Sequence, residues 1–124
     1  MVGITAYGGY VPRLRLNRKT VADAHAWINP GLKGMARGTR SMANWDEDAV
    51  TMAVEAARDC LNGADRAAVG SLYFASTTMP FADRQNSGIV ATALSLSEDG
   101  AAADIANSQR AGTTALIQGL NAVA

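Results

Sequence analysis

Ser108, Gln109 and Thr77 are the side chains in this 124-residue sequence whose placement suits chemistry. The stretch Ala102-Ala103-Asp104-Ile105-Ala106-Asn107-Ser108-Gln109-Arg110-Ala111-Gly112-Thr113 reads as an apolar strand, a polar turn and then a helix that continues through Leu116 and Leu120. Open parallel sheets tend to place ligands at such junctions, because the first N–H groups of the helix lack partners within it and carry partial positive charge. Ser108 is expected as the N-cap and Gln109 as the first helical residue. A helix start of this kind suits a thiolate nucleophile or an oxyanion, yet the residue present is a carboxamide. Thr77 lies in the polar run Ser76-Thr77-Thr78, which leaves an earlier apolar segment; it is expected to follow the C-terminal end of a parallel strand and to share a site with Gln109.

The remaining chemistry-bearing residues read mostly as structural. His25 is the single histidine, has no sequence partner and falls on a short helical segment, so an ordinary surface or half-buried role is expected. Cys60 is also single, which rules out an internal disulfide and a cysteine-rich zinc site and fits a reducing compartment. Asp46-Glu47-Asp48 is contiguous and opens a helical pattern, so its charge is read as complementing the helix dipole, with no metal site expected. Asn29 to Asn44 is a basic, glycine-containing stretch with Lys33, Arg37 and Arg40, expected as a loop between two helices that can face an anionic group such as a cofactor phosphate.

These positions require an alternating scaffold. Val2 to Val11 is rich in β-branched and aromatic residues and reads as a first strand, with Gly8-Gly9 marking a bulge or a close approach. Asn17 precedes a short helix through Val21, Ala24 and Trp27. Val50, Ala53, Val54, Ala57 and Leu61 form the apolar stripe of a clearer helix that stops at Asn62-Gly63. Val69 to Ala75 is a second strand, Asn86-Ser87 caps a third helix with Ile89, Val90, Ala93 and Leu94 facing inward, and Gly100 to Ile105 is a third strand. Strands alternating with helices imply right-handed crossovers and a largely parallel sheet, an α/β class. Gly112 and Gly119 inside the last helix predict that it is buried and closely approached.

Composition sets outer bounds. Eleven basic and eleven acidic residues cancel, so no general electrostatic argument exists for nucleic acid or an anionic membrane, and 48% hydrophobic residues are enough for one core. No run approaches the ~18 apolar residues of a membrane span, and the opening residues lack the pattern of a signal peptide, so a cytoplasmic location is expected. The helical pattern from Ile117 onward meets no stop signal, which reads as a fragment of a longer chain.

The run from Ala103 to Thr113 resembles the nucleophile segment of the thiolase-like superfamily. It looks most like 3-hydroxy-3-methylglutaryl-CoA synthase of the archaeal type, whose segment carries Cys followed by Lys-Ala-Gly-Thr; ketoacyl synthase III-like proteins share the pattern. The opening Gly3-Ile4-Thr5-Ala6-Tyr7-Gly8-Gly9-Tyr10-Val11-Pro12-Arg13 supports this, as do Asp46-Glu47-Asp48-Ala49-Val50-Thr51-Met52-Ala53 and Ala75-Ser76-Thr77-Thr78-Met79-Pro80-Phe81-Ala82. The resemblance implies a five-layered αβαβα fold of two repeats, of which residues 1–124 cover most of the first, the second repeat being absent. It further implies an acyltransferase of the ketosynthase kind, acting on acyl-CoA or acyl carrier protein thioesters, with a homodimer and no bound cofactor beyond the coenzyme A substrate.

Two positions depart from the family. Gln109 stands at the nucleophilic Cys position and cannot form a thioester; Thr77 stands at the general acid/base Glu position and cannot take that role near neutral pH without strong activation. Ser108 is adjacent, but a capping serine turns its oxygen toward its own helix. Arg37, Arg40, Arg110 and Gly112 are the expected substrate contacts. Three readings follow: a thioester-acting enzyme without a Cys acyl-enzyme; a non-catalytic scaffold or supporting subunit, partnered by a thiolase or a zinc-ribbon/OB-fold protein; and an ordinary synthase whose nucleophile lies elsewhere.

Overall fold

A computed structural model describes residues 2–124. The chain divides into two compact units, one formed by Val11–Glu47 and the other by the residues up to Tyr10 together with Asp48–Ala124.

In the smaller unit, β1 (Leu14–Asn17) pairs antiparallel with β2 (Thr39–Met42), Leu14 opposite Met42 and Asn17 opposite Thr39. Neither strand was expected. Between them run α1 (Arg18–His25) and a 3-10 turn, Pro30–Met35, so the basic stretch is more ordered than a loop. Asn17 caps α1 as its side chain predicts, its Oδ1 accepting the Lys19 N–H at 2.9 Å. The helix stops at His25, short of Trp27, which is 81% exposed.

The larger unit holds α2 (Ala49–Cys60), β3 (Ser71–Ala75), α3 (Asn86–Ala93), β4 (Ala101–Ile105) and α4 (Ala111–Ala122). β3 and β4 are parallel neighbours, Ser71 opposite Ala101 and Ala75 opposite Ile105, joined through α3 as the alternation of elements predicts. Val50 and Val54 of α2, Phe74 of β3, and Val90 with Leu94 at the end of α3 form the core. The two-residue period of β3 sends Leu72 and Phe74 into it, whereas Ser71 and Tyr73 line the other face with Leu116 and Leu120 of α4. Asp48 closes a capping box on α2: its Oδ1 accepts the Thr51 N–H at 2.8 Å, and Thr51 Oγ1 accepts the Asp48 N–H at 2.8 Å. Asp46 and Glu47 therefore precede the helix, and no acidic residue lies in its first turn.

Three expectations are corrected. Val2 to Val11 forms no strand, because no ladder bonds hold it; Gly8 instead lies against the backbone of α2, where a Cβ would come 2.5 Å from the Ala56 carbonyl oxygen and 2.8 Å from Cys60 Cα. The Gly8-Gly9 pair thus marks a close approach, but to a helix, and the Gly9 N–H donates to Asp59 Oδ2 at 3.0 Å. The last helix begins at Ala111, two residues after Gln109. It is also largely exposed: Leu116 and Ile117 are 49% and 51% accessible, and a Cβ on Gly112 or Gly119 would meet nothing within 4 Å among the described residues.

Candidate functional site

Two loops leave the C-terminal ends of the parallel strands. The last tie between them is the Ser76 N–H donating to the Ile105 carbonyl at 3.2 Å. Beyond it, residues 76–82 and 106–107 enclose a cavity of about 420 Å³ whose lining includes Thr77, Met79, Arg84, Asp104 and Asn107. Thr77 is therefore placed beside the strand-to-helix turn, as its position after β3 predicts. Gln109 does not line the cavity; it is exposed two residues beyond Asn107.

The turn itself has a defined shape. Asn107 has φ of 63°, a left-handed conformation that Asn tolerates better than most residues. Ser108 then folds the chain back: its Oγ accepts the Arg110 N–H at 3.1 Å and its carbonyl accepts the Ala111 N–H at 3.0 Å. Ser108 is thus the pivot of a turn ahead of α4, and Arg110 occupies the N-cap position with no side-chain cap bond. This corrects the assignment of Ser108 as N-cap and Gln109 as first helical residue. The serine oxygen remains engaged by its own backbone, which opposes its use as a nucleophile.

Asp104, to which the sequence pattern assigns no role, organises the floor of the cavity. Its Oδ2 accepts the Asn86 N–H at 2.7 Å and Asn86 Nδ2 at 2.9 Å, and its Oδ1 accepts the Ser87 N–H at 2.7 Å. Strand β4 thereby caps α3 from outside the helix, where Gln85 makes no side-chain cap bond. Burial on its own would raise the Asp104 pKa; the hydrogen bonds from Asn86, side chain and backbone, and from Ser87 outweigh it and hold the carboxyl below its ordinary value. Asn86 is 1% exposed and continues the network to Phe81, accepting its N–H at 3.1 Å through Oδ1 and donating to its carbonyl at 2.9 Å through Nδ2. The signal available in the sequence was one carboxylate inside the apolar run AAADIA, a residue type that is seldom placed in a strand interior without partners.

The basic residues fall in different places. Arg40, on β2, lines a cavity of about 220 Å³ with Arg18, Val21, Ala22, Leu32 and Met35 in the smaller unit; Arg37 is exposed and does not line it. Arg110 and Gly112 are exposed at the start of α4 in the larger unit. His25 is exposed, and Cys60 is a half-buried free thiol at the last position of α2. Among the described residues, no three His, Cys, Asp or Glu side chains come together to hold a metal ion, and no helix is long and apolar enough to cross a membrane.

The fold is thiolase-like. Xanthomonas campestris OleA matches 97% of the chain with a TM-score of 0.84 at 19% identity, the match covering 38% of that protein. MvaS in complex with 3-hydroxy-3-methylglutaryl coenzyme A matches 98% of the chain with a TM-score of 0.83 at 21% identity, covering 30% of that protein. In sequence the chain is homologous to archaeal hydroxymethylglutaryl-CoA synthases, being 38% identical to that of Methanosarcina mazei over 122 residues and 36% identical to that of Methanocella arvoryzae over 129. These alignments take in 93% and 99% of the chain but 34% and 36% of the relatives, so the chain spans about a third of their length. No protein-family model matches it.

Proposed function

We propose that this chain is the N-terminal part of a hydroxymethylglutaryl-CoA synthase-like, ketosynthase-like protein that acts on acyl-CoA or acyl-carrier thioesters without a Cys acyl-enzyme. The observation carrying the reading is the carboxamide of Gln109 in the turn before α4, at the position where the resemblance puts the nucleophile, in a chain 34–38% identical to archaeal synthases. A carboxamide forms no thioester, but its N–H donors, with those at the uncapped start of α4, suit stabilising an enolate oxygen. The matching step is decarboxylation of a malonyl thioester: the bond to the carboxylate carbon breaks, CO₂ departs with its oxygens, and the electron pair left on the α-carbon is delocalised to the thioester oxygen before water protonates it. Thr77 helps line the cavity beside the turn and acts there by hydrogen bonding, since its hydroxyl is no base near neutral pH. Arg40, beside Arg18 over an apolar floor, is suited to an anionic group of the carrier; Arg37, Arg110 and Gly112 are further candidate contacts.

Labelled malonyl-CoA and acetyl-CoA test this. Thioester decarboxylation that is lost in Gln109→Ala, with no label retained on the protein, is the expected result; a stable acyl-enzyme would overturn it. The second reading is a non-catalytic supporting subunit, favoured by the exposed apolar residues Leu116, Ile117 and Val123 of the last helix and the residue after it. Absence of turnover together with a tightly co-purifying thiolase would select it.

A further inference from the structure

We infer that Asp104 is a positioning residue that, through the Asn86 carboxamide, holds the loop carrying Thr77 in place against the C-terminal end of β4, from which the turn carrying Gln109 departs. The inference rests on the reading of those two positions as the working site. After the Ser76 to Ile105 bond the two loops have no shared ladder, yet both must keep their geometry around the cavity. Asn86 supplies a link from the first loop to the end of β4: it grips Phe81 twice, at its N–H and at its carbonyl, and binds Asp104, while Nδ2 also lies 3.6 Å from Met79 Sδ.

That grip works only if the carboxamide faces one way. An ionised carboxylate has acceptors and no donor, so the Asp104 contact at 2.9 Å requires Nδ2 to point toward β4 and leaves Oδ1 for the Phe81 N–H. With the amide reversed, two donors would face each other at Phe81 and two acceptors at Asp104. An asparagine at 104 could still accept from the first N–H groups of α3, but with a donor of its own it would no longer reinforce the Asn86 orientation, leaving Phe81 alone to hold it. Capping and positioning therefore make different predictions for the same substitution. Gln85 Nε2, donating to the Ala102 carbonyl at 2.5 Å, gives α3 a second tie to β4 that the substitution leaves intact.

Amide hydrogen exchange on the full chain, wild type against Asp104→Asn, tests this without requiring activity. Exchange at Phe81 and its loop is expected to accelerate about tenfold while the amides of the β3–β4 ladder change by less than about twofold. Acceleration spread evenly over all amides, or none in the loop, would overturn the inference. Should Asp104→Asn not fold, Asn86→Ser, which removes the reach to Phe81, must give the same selective pattern. Where the wild type turns over malonyl-CoA, Asp104→Asn lowers kcat about tenfold with KM within about twofold. If the wild type does not turn it over, the exchange pattern still decides the role of Asp104, and only the reading of the site as decarboxylating falls.

Discussion

Gln109 and Asp104 divide the work at the scale of single residues. Gln109 is exposed in the turn before α4, where on the reading proposed above its amide supplies hydrogen-bond donors in place of a covalent nucleophile. Asp104 accepts three hydrogen bonds and makes the local fold sensitive to acid. Its folded pKa lies below the ordinary 3.8, so the native state binds fewer protons than the unfolded chain there. This contribution is fully present above 3.8 and is lost as pH falls through that value and on through the folded pKa. Denaturation midpoints in urea, measured from neutral pH down into this range, are expected to drop in the wild type and to drop less in Asp104→Asn; parallel curves would count against this assignment. The sequence showed Gln109 through its neighbours. It did not show Asp104 as a cap, because the N–H groups it accepts belong to residues eighteen and seventeen positions earlier.

Among the elements, those whose signals are local formed where expected. α2 has its apolar stripe and an N-terminal acid, α3 turns Ile89, Val90 and Leu94 inward while Ala93, expected beside them, is exposed, and β3 and β4 have their apolar runs. Starts and ends shifted wherever a distant partner decided them. α3 begins at Asn86 because Asp104 accepts its first N–H groups, and its C-terminal end is held by Arg66, whose Nη1 donates to the Leu94 carbonyl at 2.7 Å. The N-terminal segment is the clearest case: its composition is that of a strand, but it joins no ladder, and Gly8 packs on the backbone of α2 while the Gly9 N–H donates to Asp59. Gly8→Ala is expected to destabilise the larger unit by about 1–3 kcal/mol through overlap with Ala56 and Cys60. The thermal midpoint of that variant measures it, and Gly3→Ala, with open space around its Cβ position, should leave the midpoint unchanged.

On the scale of the whole molecule, the apolar surface is only partly covered. Clefts of about 560 and 520 Å³ beside the N-terminal segment are lined by Ile4, Tyr73 and Leu116 among others, and Ile117 and Val123 stand 51% and 69% exposed. We propose that in a longer chain the second repeat of the fold covers this side of α4. These 124 residues by themselves are then expected to aggregate or fold poorly, because the exposed apolar surface and the bare edge of β3 both favour association. A soluble monomer with a sharp, reversible thermal transition would refute this.

Whereas Gln109, expected as the first helical residue, lies in a turn before α4, the succession α2, β3, α3, β4, α4 and its parallel crossover were legible in the sequence, since periodicity and polar punctuation act over a few residues. So was the pairing of Thr77 with that turn, which follows from strand direction alone. Only the tertiary structure decided the β1–β2 pairing across 22 or more residues, the failure of Val2 to Val11 to join a sheet, and the length of α4. It also decided that Asp104 of β4 binds the first N–H groups of α3 and that Asn86 binds Phe81. Each of these depends on which surfaces meet, and contact between residues far apart in the chain leaves no periodic trace.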